Sequence, residues 1–104
     1  MKKKIIVFTG SRADYGLLSL LIKKINHHKH LKLILVAGGN HFSKKYGNTI
    51  NEIKNDKIRI NYSYKFFAKS TSQNEILEYM GSSLSNYHNF LKKTKPDLAI
   101  VLGD

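Results

Sequence analysis

Three observations predict an α/β fold: a Rossmann-like parallel sheet with flanking helices. Short apolar runs alternate with longer amphipathic segments in the order β-α-β-α-β-α-β, and this alternation is the signature of parallel strands joined by helices. The runs Ile5-Ile6-Val7-Phe8 and Leu31 to Ala37 are apolar with little interruption, as expected for strands covered on both faces. Glycines follow the first, second and last runs at Gly10, Gly38-Gly39 and Gly103, where the chain must turn out of the sheet.

Each element has its own signal. Lys4 to Phe8 is the first strand. From about Tyr15 to His28 the apolar residues Leu17, Leu18, Leu21, Ile22 and Ile25 recur at helical spacing with lysines opposite, and Asp14 is the expected N-cap. Leu31 to Ala37 is the second strand. A short helix is expected from about Lys45 to Asn55, with Ile50 and Ile53 as its apolar face. Ile58 and Ile60 alternate with polar residues, so Lys57 to Tyr62 reads as a third strand, followed by a loop from Tyr64 to Thr71. Ser72-Gln73-Asn74-Glu75 is a capping box. It opens a longer helix on which Ile76, Met80, Leu84, Tyr87 and Leu91 share one face, and Pro96 ends that helix. Leu98 to Leu102 is the fourth strand.

At 104 residues the chain makes at most one small domain. With 41% hydrophobic residues, a folded domain is expected rather than disorder. Cysteine is absent, which excludes disulfides and thiolate metal sites. Lys2-Lys3-Lys4 precede an apolar run too short for a signal sequence or a membrane span, so a cytoplasmic location is expected. The net charge of +11 raises nucleic acid, acidic membrane or a phosphorylated substrate as partners. The lysines are scattered along the chain, and only Arg12 and Arg59 are arginines, whereas nucleic-acid readers lean on arginine. Solvated helix faces account for this charge.

In open parallel sheets ligands sit beyond the carboxyl ends of the strands. The first strand there leads into Gly10-Ser11-Arg12, the second into Gly38-Gly39-Asn40-His41 and the fourth into Gly103-Asp104. A glycine turn opening a helix offers unpaired N–H groups and the positive end of the helix dipole to an anion, and Arg12 adds a charged fork of donors. His41 and Asp104 have the chemistry to move protons. Equally, His41 is a polar loop residue on a bland reading, and Arg12 pairs with Asp14. Gly10 lies in no GxGxxG pattern, so a dinucleotide fingerprint is absent. His27, His28 and His30 fall at a helix end with no neighbouring carboxylate, so no metal site is expected. Tyr62, Tyr64, Phe66 and Phe67 form an aromatic group that either stacks bases or packs the core.

At these residues the chain resembles the hydrolysing UDP-N-acetylglucosamine 2-epimerases of sialic acid and related nonulosonic acid biosynthesis. Thr9-Gly10-Ser11-Arg12-Ala13-Asp14-Tyr15-Gly16 is similar to the family's opening motif. Gly39-Asn40-His41 with Tyr46-Gly47-Asn48-Thr49 is similar to its second, continued by Asn51-Glu52-Ile53 and Asp56. Pro96-Asp97 and Val101-Leu102-Gly103-Asp104 are similar to its third. The resemblance implies that residues 1–104 are the first part of the N-terminal domain of a GT-B-type two-domain fold, with the rest of that domain and the second domain absent.

It also implies a chemistry. A base takes the proton at C2 of the sugar and UDP leaves C1. Water then adds to the glycal-type intermediate, giving N-acetylmannosamine and UDP without metal or redox cofactor. By the same resemblance Arg12, Gly16, Ser11 and Gly10 contact UDP, Asp104 matches a catalytic acidic position, and His41 matches a cleft position. The expected partner is a UDP-sugar, with no nucleic acid and no membrane, and the full-length form is expected to be a homo-oligomer. Four alternatives stay open: UDP-N,N'-diacetylbacillosamine as the substrate, a non-hydrolysing epimerase that keeps UDP attached, a non-catalytic truncated nucleotide-binding module, and a small basic nucleic-acid binder.

Overall fold

The computed structural model describes residues 2–38, 50–64 and 72–102. Its elements are β1 (Lys3–Thr9), α1 (Arg12–His27), β2 (Leu31–Gly38), α2 (Ile50–Asn55), β3 (Tyr62–Tyr64), α3 (Gln73–Thr94) and β4 (Leu98–Ile100). All strand pairs are parallel and the sheet order is β3-β2-β1-β4. The two long apolar strands therefore lie at the centre and the two short ones at the edges.

Alternation along β1 and β2 divides the core. Ile5, Val7, Leu35 and Ala37 point to one face, where Tyr15, Leu18, Ile22 and Ile25 of α1 pack with Ile50, Ile53 and Ile58. Ile6, Ile34 and Val36 point to the other, against Phe8, Tyr62 and Phe90. The rings of Tyr62 and Phe90 lie 4.9 Å apart, and Tyr87 meets Phe8 edge-on at 4.9 Å.

Polar clamps set the edge strands. Asp97 is bonded twice to Lys4: its backbone N–H donates to the Lys4 carbonyl and its Oδ2 accepts the Lys4 N–H, each at 2.8 Å. Asn61 does the same for Leu35, donating its N–H to the carbonyl and accepting the N–H on Oδ1, each at 2.9 Å. Both residues sit just before a strand, where side-chain oxygens stand in for a missing ladder partner.

The structure corrects several expectations. α1 begins at Arg12, and its N-cap is Ser11, whose hydroxyl accepts the Asp14 N–H at 3.2 Å. Asp14 is instead the third helical residue, and its carboxylate reaches back past the cap to accept the Gly10 N–H. The buried stripe of α1 runs through Tyr15, Leu18, Ile22 and Ile25, while Leu17 is 74% and Leu21 43% exposed. The third strand lies at Tyr62–Tyr64 rather than Lys57 to Tyr62: Ile58 is drawn into the α1–α2 core before the chain reaches the sheet at Asn61. β4 pairs only over Leu98–Ile100, shorter than expected. The α2 start at Lys45 and the loop after Tyr64 fall outside the described residues.

The Ser72 cap of α3 is as expected, its hydroxyl accepting the Glu75 N–H at 3.3 Å. The apolar stripe Ile76, Met80, Leu84 and Leu91 is exposed, however. α3 meets the sheet through Tyr87, the member of the expected stripe that does pack inward, and through Phe90 on the neighbouring face of the helix, which together leave the aliphatic residues of the stripe outward.

Ile22 is fully buried between α1 and the sheet. Ile22→Ala is expected to cost about 2–5 kcal/mol by cavity formation, read from urea denaturation. A loss below about 1 kcal/mol would show that α1 does not form the packed core described here.

Candidate functional site

β1 ends where its backbone turns into α1, and the turn is held by short hydrogen bonds. Ser11 caps the helix, the Tyr15 N–H donates to the Ser11 carbonyl at 3.1 Å, and the Gly10 N–H donates to Asp14 Oδ2 at 3.1 Å. The capping residues thus occupy the N–H groups of Gly10, Asp14 and Tyr15. The N–H groups of Arg12 and Ala13 lie in the first helical turn, where no intrahelical acceptor exists. They mark the anion-binding end of the dipole.

Beside this turn, beyond the carboxyl ends of β1 and β4, lies a cavity of about 480 Å³. Gly10 and Asp14 form its polar side, and Phe8, Tyr87, Leu91 and Val101 line the apolar remainder. This is where open parallel sheets bind ligands. Tyr87 and Leu91, from α3, were visible in the sequence only as part of a helical stripe.

Gly16 is in the second turn of α1 and exposed, with nothing within 4 Å of the position a Cβ would take. Glycine in a helix interior costs roughly 0.5–1 kcal/mol relative to alanine. No packing or turn requirement explains it here. A Cβ on Gly10 would meet only Asp14 Oδ2, at an ordinary 3.6 Å.

Tyr15 joins two of the motifs. Its hydroxyl donates to Asp56 Oδ2 at 2.6 Å, and Lys23 Nζ lies 3.6 Å from the same oxygen. This ties the start of α1 to the turn after α2. Burial, then the hydrogen bond to Asp56, then the negative charges of Asp56 and Glu52 push the Tyr15 hydroxyl well above the usual tyrosine range. Sequence reasoning assigned no role to Tyr15, although both partners fall in the quoted motifs.

Of the residues expected to form a site, Gly10 and Ser11 lie together at the β1–α1 turn, whereas Gly16 lies one turn further along α1, beside Tyr15, Glu52 and Asp56 and apart from the cavity. Arg12 begins α1 directly after Ser11. His41 and Asp104 lie outside the described residues. Among the described residues no group of three or more His, Asp or Glu side chains is placed to hold a metal.

Residues 23–104 match the family model described as UDP-N-acetylglucosamine 2-epimerase. The chain belongs to this family. It is 32% identical over its whole length to the UDP-N,N'-diacetylbacillosamine 2-epimerase (hydrolyzing) of Legionella pneumophila, covering 28% of that protein. Over 98% of the chain it is 34% identical to polysialic acid biosynthesis protein P7 of Escherichia coli and 34% identical to the UDP-N-acetylglucosamine 2-epimerase of Neisseria meningitidis, covering 26% of each. The chain therefore spans about a quarter of the length of these members. A crystal structure of a UDP-N-acetylglucosamine 2-epimerase matches the whole chain with a TM-score of 0.78 at 16% identity, covering 27% of that structure. A second, the Neisseria meningitidis UDP-GlcNAc 2-epimerase bound to UDP-GlcNAc, matches 97% of the chain at 0.72 and 21%, covering 26% of that chain. The parallel sheet with flanking helices is thus the fold of this epimerase family.

Two outcomes follow. Gly16→Ala is expected to stabilise the chain by about 0.5–1 kcal/mol in urea denaturation; destabilisation would reveal a structural demand for glycine. The folded chain also holds the Tyr15 proton more tightly than the unfolded chain does. The stability it contributes is therefore intact below about pH 10 and falls as the pH rises further. Urea midpoints at about pH 9 and about pH 11 should fall more for the wild type than for Tyr15→Phe; equal falls would contradict the Tyr15–Asp56 bond.

Proposed function

We propose that this chain carries the diphosphate-binding turn of a hydrolysing nucleotide-sugar 2-epimerase that converts UDP-N-acetylglucosamine and water to N-acetylmannosamine and UDP. The observation that carries this reading is Gly16. A glycine that weakens its own helix, exposed one turn beyond a capped helix start, fits a backbone kept bare for close approach of a ligand. The first-turn N–H groups, with the Arg12 guanidinium as an additional cationic group, suit two phosphates in a row.

The chemistry needs little else from this turn. When the sugar's C1–O bond breaks, negative charge builds on the departing UDP, and preorganised donors lower that barrier. Proton removal at C2 requires a base. Asp104 is proposed for this acid–base set and His41 for the sugar side of the cleft. Further groups come from outside the quarter of the relatives' length that this chain spans. UDP-N,N'-diacetylbacillosamine is the second reading of the substrate, favoured by the name of the Legionella relative. The polysialic acid relative favours N-acetylglucosamine and a place in sialic acid-type sugar synthesis. A cytoplasmic location and an oligomeric full-length form accompany the proposal.

Calorimetric titration with UDP and with uridine tests it. UDP is expected to bind more tightly than uridine, and Arg12→Ala to weaken UDP binding at least tenfold, about one charge-assisted contact. Gly16→Ala should weaken it as well while raising stability. Equal binding of UDP and uridine, or indifference to both substitutions, would contradict the assignment. The chain by itself is expected to bind without turnover; release of free sugar that disappears in Asp104→Asn would show a complete site instead.

A further inference from the structure

The lysines look scattered in the sequence, but the fold gathers many of them. Lys2 precedes and Lys3 begins β1, Lys24 lies in the last turn of α1, Lys29 in the turn that follows, Lys32 at the start of β2 and Lys95 at the end of α3. In a parallel sheet with antiparallel helices, strand starts and helix ends meet at one end of the molecule, and contacts confirm it here. The Lys3 N–H donates to the His30 carbonyl, and Lys4 Nζ donates to the Thr94 carbonyl at the end of α3. All six lysines are exposed. The carboxylate at this end among the described residues is Asp97, already bonded to Lys4. The opposite end carries Asp14 and Glu75, together with Arg12, in the first turns of α1 and α3.

Helix dipoles explain part of this polarity, because cations in a last turn are stabilised. They do not explain Lys2, Lys3 and Lys32, which precede or begin strands, or Lys29, which lies in a turn. Like charges brought together on one end repel, so a partner of opposite charge is the physical counterpart. The residue types choose among anionic partners. Lysine is a point charge without the planar fork that reads phosphate or base edges, and the rings of Tyr62 and Phe90 are packed on one another, with Tyr62 level with Val36 toward the carboxyl end of β2. Neither property suits a nucleic acid. A lipid surface needs only a field of positive charge.

We propose that the strand-start end of this fold is a docking surface for an anionic lipid bilayer, holding the β1–α1 turn toward solution. No described helix is long and apolar enough to cross a membrane; the contact proposed is peripheral and electrostatic. The proposal is independent of the epimerase reading.

Co-sedimentation of the 104-residue chain with vesicles tests it. Binding is expected to vesicles of phosphatidylcholine with one-fifth phosphatidylglycerol, not to phosphatidylcholine alone, and to weaken as salt rises. Each lysine near such a surface contributes roughly fivefold. Neutralising Lys2, Lys24 and Lys29 together (K2Q, K24Q, K29Q) should therefore weaken binding on the order of 100-fold. All three side chains are exposed, and circular dichroism checks the fold. Adding Asn74→Lys and Glu78→Lys at the start of α3 restores the lost net charge at the other end and should not restore binding. Rescue by these two changes, equal binding to neutral vesicles, or tighter binding to an RNA duplex at the same salt would each overturn the proposal.

Discussion

The parallel pairing of β1 with β2, continuous from Lys3 opposite Leu31 to Thr9 opposite Ala37, positions almost every other part of the molecule. Successive side chains on these strands alternate between two faces, and both faces are apolar, so the pair requires helices on both sides. α1 is the connection between the two strands and covers one face; α3 covers the other. Because the pairing is parallel, both strands end at the same level, and Gly10 and Gly38 emerge side by side. The site is a consequence of that shared level: the helix that covers the sheet must start where β1 ends, so its dipole points at the rim where the strands stop.

The turn between β1 and α1 shows how little chemistry is needed to open such a rim. Ser11 and Asp14 close the helix start and hold Gly10, leaving the first-turn donors as its free polarity. Asp56 then takes the Tyr15 hydroxyl, so that the second motif region is anchored to the first. A buried tyrosine whose proton is held by a carboxylate is a rigid link, since separating the two would strand a polar group away from water. Buried and exposed positions are thus interleaved residue by residue within Thr9 to Gly16: Tyr15 faces the core, and Gly16 faces solvent.

The sheet class, its element order and the placement of the Gly10-Ser11-Arg12 turn were legible in the sequence because each rests on a local signal: an apolar run, a glycine or a capping box. What was misread depended on tertiary competition. Asp14 has the residue type of an N-cap, but Ser11 three residues earlier provides the same function and lets the helix start sooner. Ile58 and Ile60 alternate like a strand, yet Ile58 is pulled into the α1–α2 core and the sheet starts only at Asn61, whose side chain bonds Leu35. On α3 the stripe gave the right helix and one correct inward residue, Tyr87 against Phe8, but its aliphatic members face outward because Phe90, beside Leu91 in sequence, packs on Tyr62 instead. The Tyr15–Asp56 bond spans two motifs and has no periodic signature. The gathering of lysines at one end is equally invisible until the topology is known.

The function proposed for this chain depends on the start of α1 receiving a diphosphate. A crystal structure of the chain with UDP bound would test this most directly. The phosphates are expected against the first-turn N–H groups of Arg12 and Ala13, with the exposed backbone at Gly16 alongside. Phosphates seated elsewhere, above all on the lysines at the strand-start end, would contradict it.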